Sequence, residues 1–324
     1  DDEDDDDDDD QDTDSEEETD EDEDQDEDQD EQQQTTQAVA QTQPQEQDFM
    51  SDLFGGGAVA ASTGGGNNAS SSSSMIELSQ DKTKLLKLLL SPSGVLFENE
   101  MVQIGFRSQI EIPGGVMKVL LYYGNKSSSE LTVNSVKCLN ESSLNGIGIN
   151  FTPSSFTISP KQQSQQQCKI SLNVPISLLP EIEITISSKY RLCVSFPIIA
   201  TKFFKPHVFE PQQFKQRWQQ LKNEQQQIIQ INSDYDSNKL RGILSNGMSM
   251  GLIAGVDQNP NNSIGCAVYN FAKKKDDNNY VTMPVLLRLE YNNKSNAIRV
   301  TIRSPHQSTT NSVMAAFVAI FKTA

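Results

Sequence analysis

The feature that most constrains this chain is where its charge lies. Of 45 acidic and 26 basic residues, residues 1–90 hold 30 and 3, a net charge of −27; residues 91–324 hold 15 and 23, a net of +8. Residues 1–31 are almost wholly Asp, Glu and Gln. Like charges repel along such a stretch and there is no apolar surface to bury, so a packed core is closed to it. Residues 32–48 are rich in Gln and Thr, and residues 55–75 run through Gly, Ala, Asn and Ser, a linker composition. The sequence therefore predicts a disordered acidic, Gln/Ser/Gly-rich hinge over residues 1–90. One interruption stands out, Asp48-Phe49-Met50-Ser51-Asp52-Leu53-Phe54-Gly55. It reads either as a chance apolar spot or as a short linear ligand for some domain.

The mildly basic remainder suits acidic partners: peptides, nucleic acid or anionic lipid heads. The four cysteines, Cys138, Cys168, Cys193 and Cys266, show no metal-ligand spacing and read as reduced thiols of an intracellular protein. No apolar stretch approaches the ~20 residues of a membrane span, and no signal peptide precedes the acidic run. A cytoplasmic protein without direct membrane insertion is expected. The opening inside a run of aspartates reads as the tail end of something longer.

From Leu85 the texture changes. Leu85-Leu86-Lys87-Leu88-Leu89-Leu90 leads into the turn signal Ser91-Pro92-Ser93-Gly94. Short runs rich in Val, Ile, Tyr and Phe follow at 101–112, 116–123, 131–139, 147–152, 169–174, 182–187 and 191–199, bounded by Gly, Pro, Asn or Ser. Close-spaced strands without a helical period predict an antiparallel β-sandwich over residues 91–205. Beyond Lys205-Pro206 the period switches. Phe214, Trp218 and Leu221 fall at i, i+4 and i+7 on a helix opened by Pro211. Strand-like runs return at 251–253, 264–271, 281–291 and 297–303, and Val313, Ala316, Phe317 and Ile320 suit a C-terminal helix. Helix, antiparallel sheet and helix predict an α+β unit over residues 206–324, packed on the sandwich because almost no linker separates them.

Residues 91–324 contain no nucleophile motif, phosphate-binding loop or metal signature, and His207 and His306 stand alone. Neither an enzyme nor a cofactor is expected. What remains is recognition chemistry. Trp218, the single tryptophan, is either core or a surface ring beside cations that take a ligand's carboxylate. Leu286-Leu287-Arg288-Leu289-Glu290 and Ala297-Ile298-Arg299-Val300-Thr301-Ile302-Arg303 flank a turn-rich loop and read as a hairpin. Alternation sends Arg299, Thr301 and Arg303 to one sheet face. That face is either a binding surface or a solvated one with Glu290 as counter-ion. Nucleic acid is disfavoured as a partner, because the basic residues are spread out and no stacking strand accompanies them.

Four separated segments carry a family likeness: Tyr122-Tyr123-Gly124-Asn125-Lys126-Ser127, Thr201-Lys202-Phe203-Phe204-Lys205-Pro206, Phe214-x-Gln216-Arg217-Trp218-x-Gln220-Leu221, and Leu286-Leu287-Arg288-Leu289-Glu290 with Arg299 and Arg303 behind it. Together they resemble, over about residues 94–324, the hinge and appendage (ear) of alpha-adaptin, the large alpha subunit of the plasma-membrane clathrin adaptor complex. The resemblance implies an immunoglobulin-like sandwich followed by an α+β platform, both binding short peptides of endocytic accessory proteins at coated pits. The platform would take D-P-F/W and F-x-D-x-F peptides through Phe214, Trp218, Arg288, Arg299 and Arg303. Gly124, Asn125 and Lys126 would belong to a sandwich-side site for W-x-x-F peptides. The resemblance also puts Lys215 and Gln227 in the platform pocket, where both depart from the family pattern. Lys215 replaces a pocket-lining phenylalanine, and Gln227 stands where glutamate is frequent. The family's helical trunk, through which other adaptor subunits are met, has no counterpart in this sequence. The ears of beta-adaptin and coatomer are alternatives with the same two-part architecture.

Overall fold

The computed structural model describes residues 75–111, 114–271 and 281–323. The acidic stretch and the motif at residues 48–54 lie outside them. Regular structure is present within the stretch that the sequence assigned to the hinge. A strand, β1 (Ile76–Leu78), pairs in parallel with β10 (Tyr190–Ser195), and a helix, α1, covers Lys82–Leu90. Asp81 caps α1, its side chain accepting from the Thr83 N–H at 2.8 Å. Leu85, Leu88 and Leu89, at i, i+3 and i+4, are buried in the main core. The hinge boundary expected at residue 90 is thus corrected: the leucine run is the first core element, because its apolar side chains repeat with the helical period.

Two five-stranded sheets follow. One runs β1-β10-β9-β5-β7, where β5 is Leu131–Cys138, β7 Phe156–Ile158 and β9 Glu181–Ile186. The other runs β2-β3-β4-β8-β6, from β2 (Ser93–Glu98), β3 (Val102–Glu111), β4 (Val116–Asn125), β6 (Ile147–Thr152) and β8 (Gln163–Leu172). Their inward side chains, among them Ile104, Phe106, Val119, Leu121 and Ile170 from one sheet and Val133, Ile182, Ile184 and Leu192 from the other, share one core. Tyr123 meets Phe156 edge-on, with ring centroids 5.1 Å apart. Polar atoms inside are paired: the Tyr123 hydroxyl donates to Gln166 Oε1 at 2.8 Å, and Gln166 Nε2 donates to the Pro153 carbonyl at 2.6 Å.

The third sheet runs β11-β14-β15-β16-β12, with β13 (Gly251–Leu252) against β14. Its strands are β11 (Phe204–Pro206), β12 (Asn223–Gln230), β14 (Asn262–Phe271), β15 (Val281–Asn292) and β16 (Ala297–Ser304). The expected hairpin is β15 and β16, in antiparallel register Arg288↔Thr301 and Glu290↔Arg299. Helix α2 (Pro211–Gln220) carries Pro211 in its first turn, and α4 (Gln307–Thr323) closes the chain; a short helix, α3 (Ser237–Gly242), lies between. The Gln-rich β12 had no strand signal, since it lacks apolar alternation. It is an edge strand held along its whole length by β16.

Ile298, Val300 and Ile302 are fully buried and share the main core with Val313, Phe317 and Ile320 of α4 and with the two-sheet region. At the junction the Ile176 N–H donates to the Tyr269 hydroxyl at 3.0 Å, and the Ser312 hydroxyl donates to the Ile176 carbonyl. The direct packing of the two regions expected from the sequence is therefore present. A second small cluster of Phe214, Ile253, Ile264, Cys266 and Leu286 lies under α2, on the outer face of the third sheet.

Lys202 joins the end of α1 to this body. Its ammonium donates to the Ser91 carbonyl at 2.8 Å and lies 5.8 Å from the centroid of the buried Phe106 ring. Burial pushes its pKa down to about 7. Two outcomes follow. Leu88→Ala is expected to cost about 2–5 kcal/mol in denaturant unfolding, whereas an α1 outside the cooperative fold gives no change. For Lys202, the unfolded chain holds its proton up to about pH 10 while the folded one releases it from about 7. The contribution of Lys202 to stability therefore rises with pH across that window. The melting temperature of wild type relative to Lys202→Met should climb between pH 7 and 10, and a constant difference contradicts the assignment.

Candidate functional site

Helix α2 lies over the outer face of the third sheet because its one apolar stripe has a cluster to cover. Phe214 points into that cluster and is only 3% exposed. One turn on, Trp218 is half-buried and stacks on Phe214, with centroids 5.5 Å apart and ring planes at 29°. On Trp218 also sits the Arg303 guanidinium, 4.8 Å from the ring centroid. Arg303 is fixed by donating to the Trp218 carbonyl and to Glu224 Oε2 at 2.7 Å. Trp218 is thus neither plain core nor loose surface: it is an aromatic shelf locked from within the fold.

Sheet register sets the cations beside the shelf. Arg299, Thr301 and Arg303 share the outer face as expected, with Arg288 opposite Thr301. Arg288 donates through Nε and Nη2 to Asp257 Oδ2 at 3.1 and 2.9 Å, and its Nη2 lies 3.3 Å from Glu290. Arg299 grips Glu290 through Nε and Nη2, and this bond raises its pKa further. Burial raises the pKa of Asp257, but the Asn259 N–H, the Asn262 amide and Arg288 outweigh it and hold the group below the usual carboxylate value. The result is a row of alternating charges, Asp257, Arg288, Glu290, Arg299. The counter-ion role read for Glu290 is present, and it holds the arginines in line.

Phe214, Lys215, Trp218 and Arg288 line one open depression of about 500 Å³ with Val256, Asp257 and Ile264. Arg299 lines an adjacent one of about 470 Å³ with Ile228 and Lys294. Lys215 is exposed and, among the described residues, has no carboxylate within ion-pair distance. Gln227 is placed elsewhere. In the register of β12 against β16 it faces Val300, whereas Glu224, Gln226 and Ile228 face Arg303, Thr301 and Arg299. Its side chain therefore belongs to the opposite sheet face, and the expectation that it lines the pocket is corrected. Asp257 was not singled out in the sequence. Its signal was the turn-forming run Gly255-Val256-Asp257-Gln258-Asn259-Pro260, in which the Asn259 N–H donates to Asp257 Oδ1.

The sandwich-side trio is divided. Asn125 is buried: its amide donates to the carbonyls of Ser129, Ile158 and Ser159, and its oxygen accepts from the Ser127 N–H and hydroxyl. Gly124 lies inside β4, opposite Gln103 and Gln163. Of the three, Lys126 is the one exposed, with its ammonium 3.1 Å from Glu98.

An aromatic shelf beside anchored guanidinium groups thus lies on a helix-covered sheet that is joined to a pair of β-sheets. Residues 202–321 match the family described as alpha adaptin AP2, C-terminal domain. The chain is 30% identical over 237 residues to the AP-2 complex subunit alpha-2 of Dictyostelium discoideum, covering 70% of this chain and 22% of that protein. It is 27% identical over 234 residues to the AP-2 complex subunit alpha of Schizosaccharomyces pombe, covering 70% and 25%. A subunit from Arabidopsis thaliana matches at 24% over 199 residues, 56% of this chain and 18% of its own length. The chain belongs to the alpha-adaptin family and carries its C-terminal appendage; it spans a quarter or less of these relatives.

The two faces of α2 make separable contributions. Phe214→Ala is expected to cost about 3–5 kcal/mol of stability by emptying the small cluster, while Lys215→Ala stays within about 0.5 kcal/mol. Urea unfolding of both variants checks this, and equal losses contradict the placement.

Proposed function

We propose that this chain acts as the hinge and appendage of a clathrin adaptor, recruiting endocytic accessory proteins through short acidic–aromatic peptides during vesicle formation at the plasma membrane. In this reading the paired β-sheets form the immunoglobulin-like sandwich, and the third sheet with its helices forms the platform. The work is binding rather than catalysis, on the cytoplasmic side of coated pits. Contact with other adaptor subunits would run through a trunk outside this sequence.

The observation that carries the reading is the Phe214–Trp218 shelf opening onto the same depression as Arg288 and Lys215. A ligand phenyl or indole ring lying on Trp218 buries apolar area against a surface already made rigid by Arg303 and Phe214. A neighbouring ligand aspartate then reaches Arg288. Its pairs with Asp257 and Glu290 are exposed on the arginine side and are worth only about 0–1 kcal/mol, and a guanidinium offers five N–H donors, more than those contacts use. The internal carboxylates thus aim the guanidinium without exhausting it. Peptides of D-P-F/W and F-x-D-x-F type fit this chemistry. Lys215, standing where relatives carry an aromatic ring, shifts preference towards more acidic peptides. On the sandwich, Lys126 is the contact available to a W-x-x-F ligand. Few anchors bury little surface, so affinities in the micromolar range are expected.

Isothermal titration with a synthetic D-P-W or F-x-D-x-F peptide tests the assignment. Trp218→Ala should abolish measurable binding. Arg288→Ala should weaken it about tenfold and flatten its dependence on salt. Wild-type affinity in both variants would falsify the platform site.

A further inference from the structure

The depression at Trp218 has a candidate occupant in the same chain. We infer that residues 48–54 dock on the Phe214–Trp218 shelf in cis, so that partners must displace the protein's own motif. This rests on the peptide-capture reading and names a ligand for that site.

Asp48-Phe49-Met50-Ser51-Asp52-Leu53-Phe54 is an acidic–aromatic peptide by composition. In an extended backbone Asp52 lies about 10 Å along the chain from Phe49 and about 7 Å from Phe54. One ring on the shelf therefore leaves a carboxylate within range of the depression's cations, Arg288 and the exposed Lys215. Charge favours the encounter: residues 1–74 carry 28 acidic and no basic residues, and residues 75–324 carry 17 acidic and 26 basic ones. Length permits it. The 21 residues 55–75 separate Phe54 from β1 at Ile76. Extended, they span about 70 Å, more than the roughly 45–50 Å diameter of a folded body of some 250 residues. A Gly/Ser-rich tether of this length has a root-mean-square reach of about 25 Å and gives an effective concentration of order millimolar. Against a micromolar intrinsic affinity, for example a Kd of about 100 µM, that concentration holds the site mostly occupied and raises the apparent Kd of an external peptide about tenfold.

Trp218 is the single tryptophan and reports on its own site. The test compares the full chain with a full-length Phe49→Ala/Phe54→Ala variant. Two synthetic peptides are titrated into each, one carrying residues 46–56 and one D-P-W peptide, with acrylamide quenching of Trp218 as a second readout. Cis docking predicts that the variant binds both peptides about tenfold more tightly and that its Trp218 is quenched more readily. Equal affinity and equal quenching in the two chains overturn the inference while leaving the capture site standing, as does D-P-W binding without binding of the 46–56 peptide. Binding of neither peptide by either chain removes the capture reading itself. A quenching difference that vanishes on tenfold dilution assigns the occupant to a second copy and overturns docking in cis.

Discussion

Strand β16 is the constraint on which the arginine-bearing face depends. Its even-numbered side chains Ile298, Val300 and Ile302 are fully buried under α4, and this burial fixes the register of both neighbouring strands. Each aliphatic side chain taken wholly out of water contributes about 1.5–3 kcal/mol. A slip by one residue would send all three to solvent and bring Arg299 and Arg303 inside, a cost no surface contact could offset. The guanidinium groups therefore stand on the outer face because the aliphatic side chains cannot. Their positions follow from the core and owe nothing to attraction among the surface charges.

The same logic ranks the forces within the site. The salt bridges Arg288–Asp257, Arg299–Glu290 and Arg303–Glu224 are partly exposed, so each adds little to stability. Their consequence is orientational, since a long side chain held by two bonds loses less rotamer freedom when a ligand arrives. Phe214 is the reverse case. Its burial among Ile253, Ile264, Cys266 and Leu286 stabilises α2, and it leaves Trp218 only partly covered at the edge of the cluster. Burial in that cluster also pushes the Cys266 thiol up to about 12, which keeps it neutral and unreactive.

Much of this could be read in the sequence wherever periodicity was strong. The alternation in residues 297–303 placed the arginines on one face, and the i, i+4, i+7 spacing of Phe214, Trp218 and Leu221 placed the rings on one helix stripe. Where pattern was weak, the reading failed for identifiable reasons. The glutamines of β12 are polar on both faces, so nothing marked them as a strand, and the face of Gln227 depended on a register that only pairing with β16 supplies. The leucines of α1 followed linker-like sequence and were assigned to it. Asp257 lies 31 residues from Arg288, a separation no local pattern bridges. Asn125 was placed in a sandwich-side site by resemblance, and no sequence pattern showed that its amide is consumed by three backbone carbonyls.

The junction at Ile176 has a consequence for how a partner is engaged. Tyr269, Ser312 and the shared hydrophobic core pack the paired sheets directly against the third sheet. The separation between Lys126 and Trp218 is then set by that shared packing. Under the proposed function, in which both positions take ligands, a partner bearing two motifs meets a ruler. If its intervening segment matches that span, the second contact forms at high local concentration; if it is too short, the second site is lost whatever its sequence. Selection among partners would thus fall on the spacing of their motifs as much as on the motifs themselves.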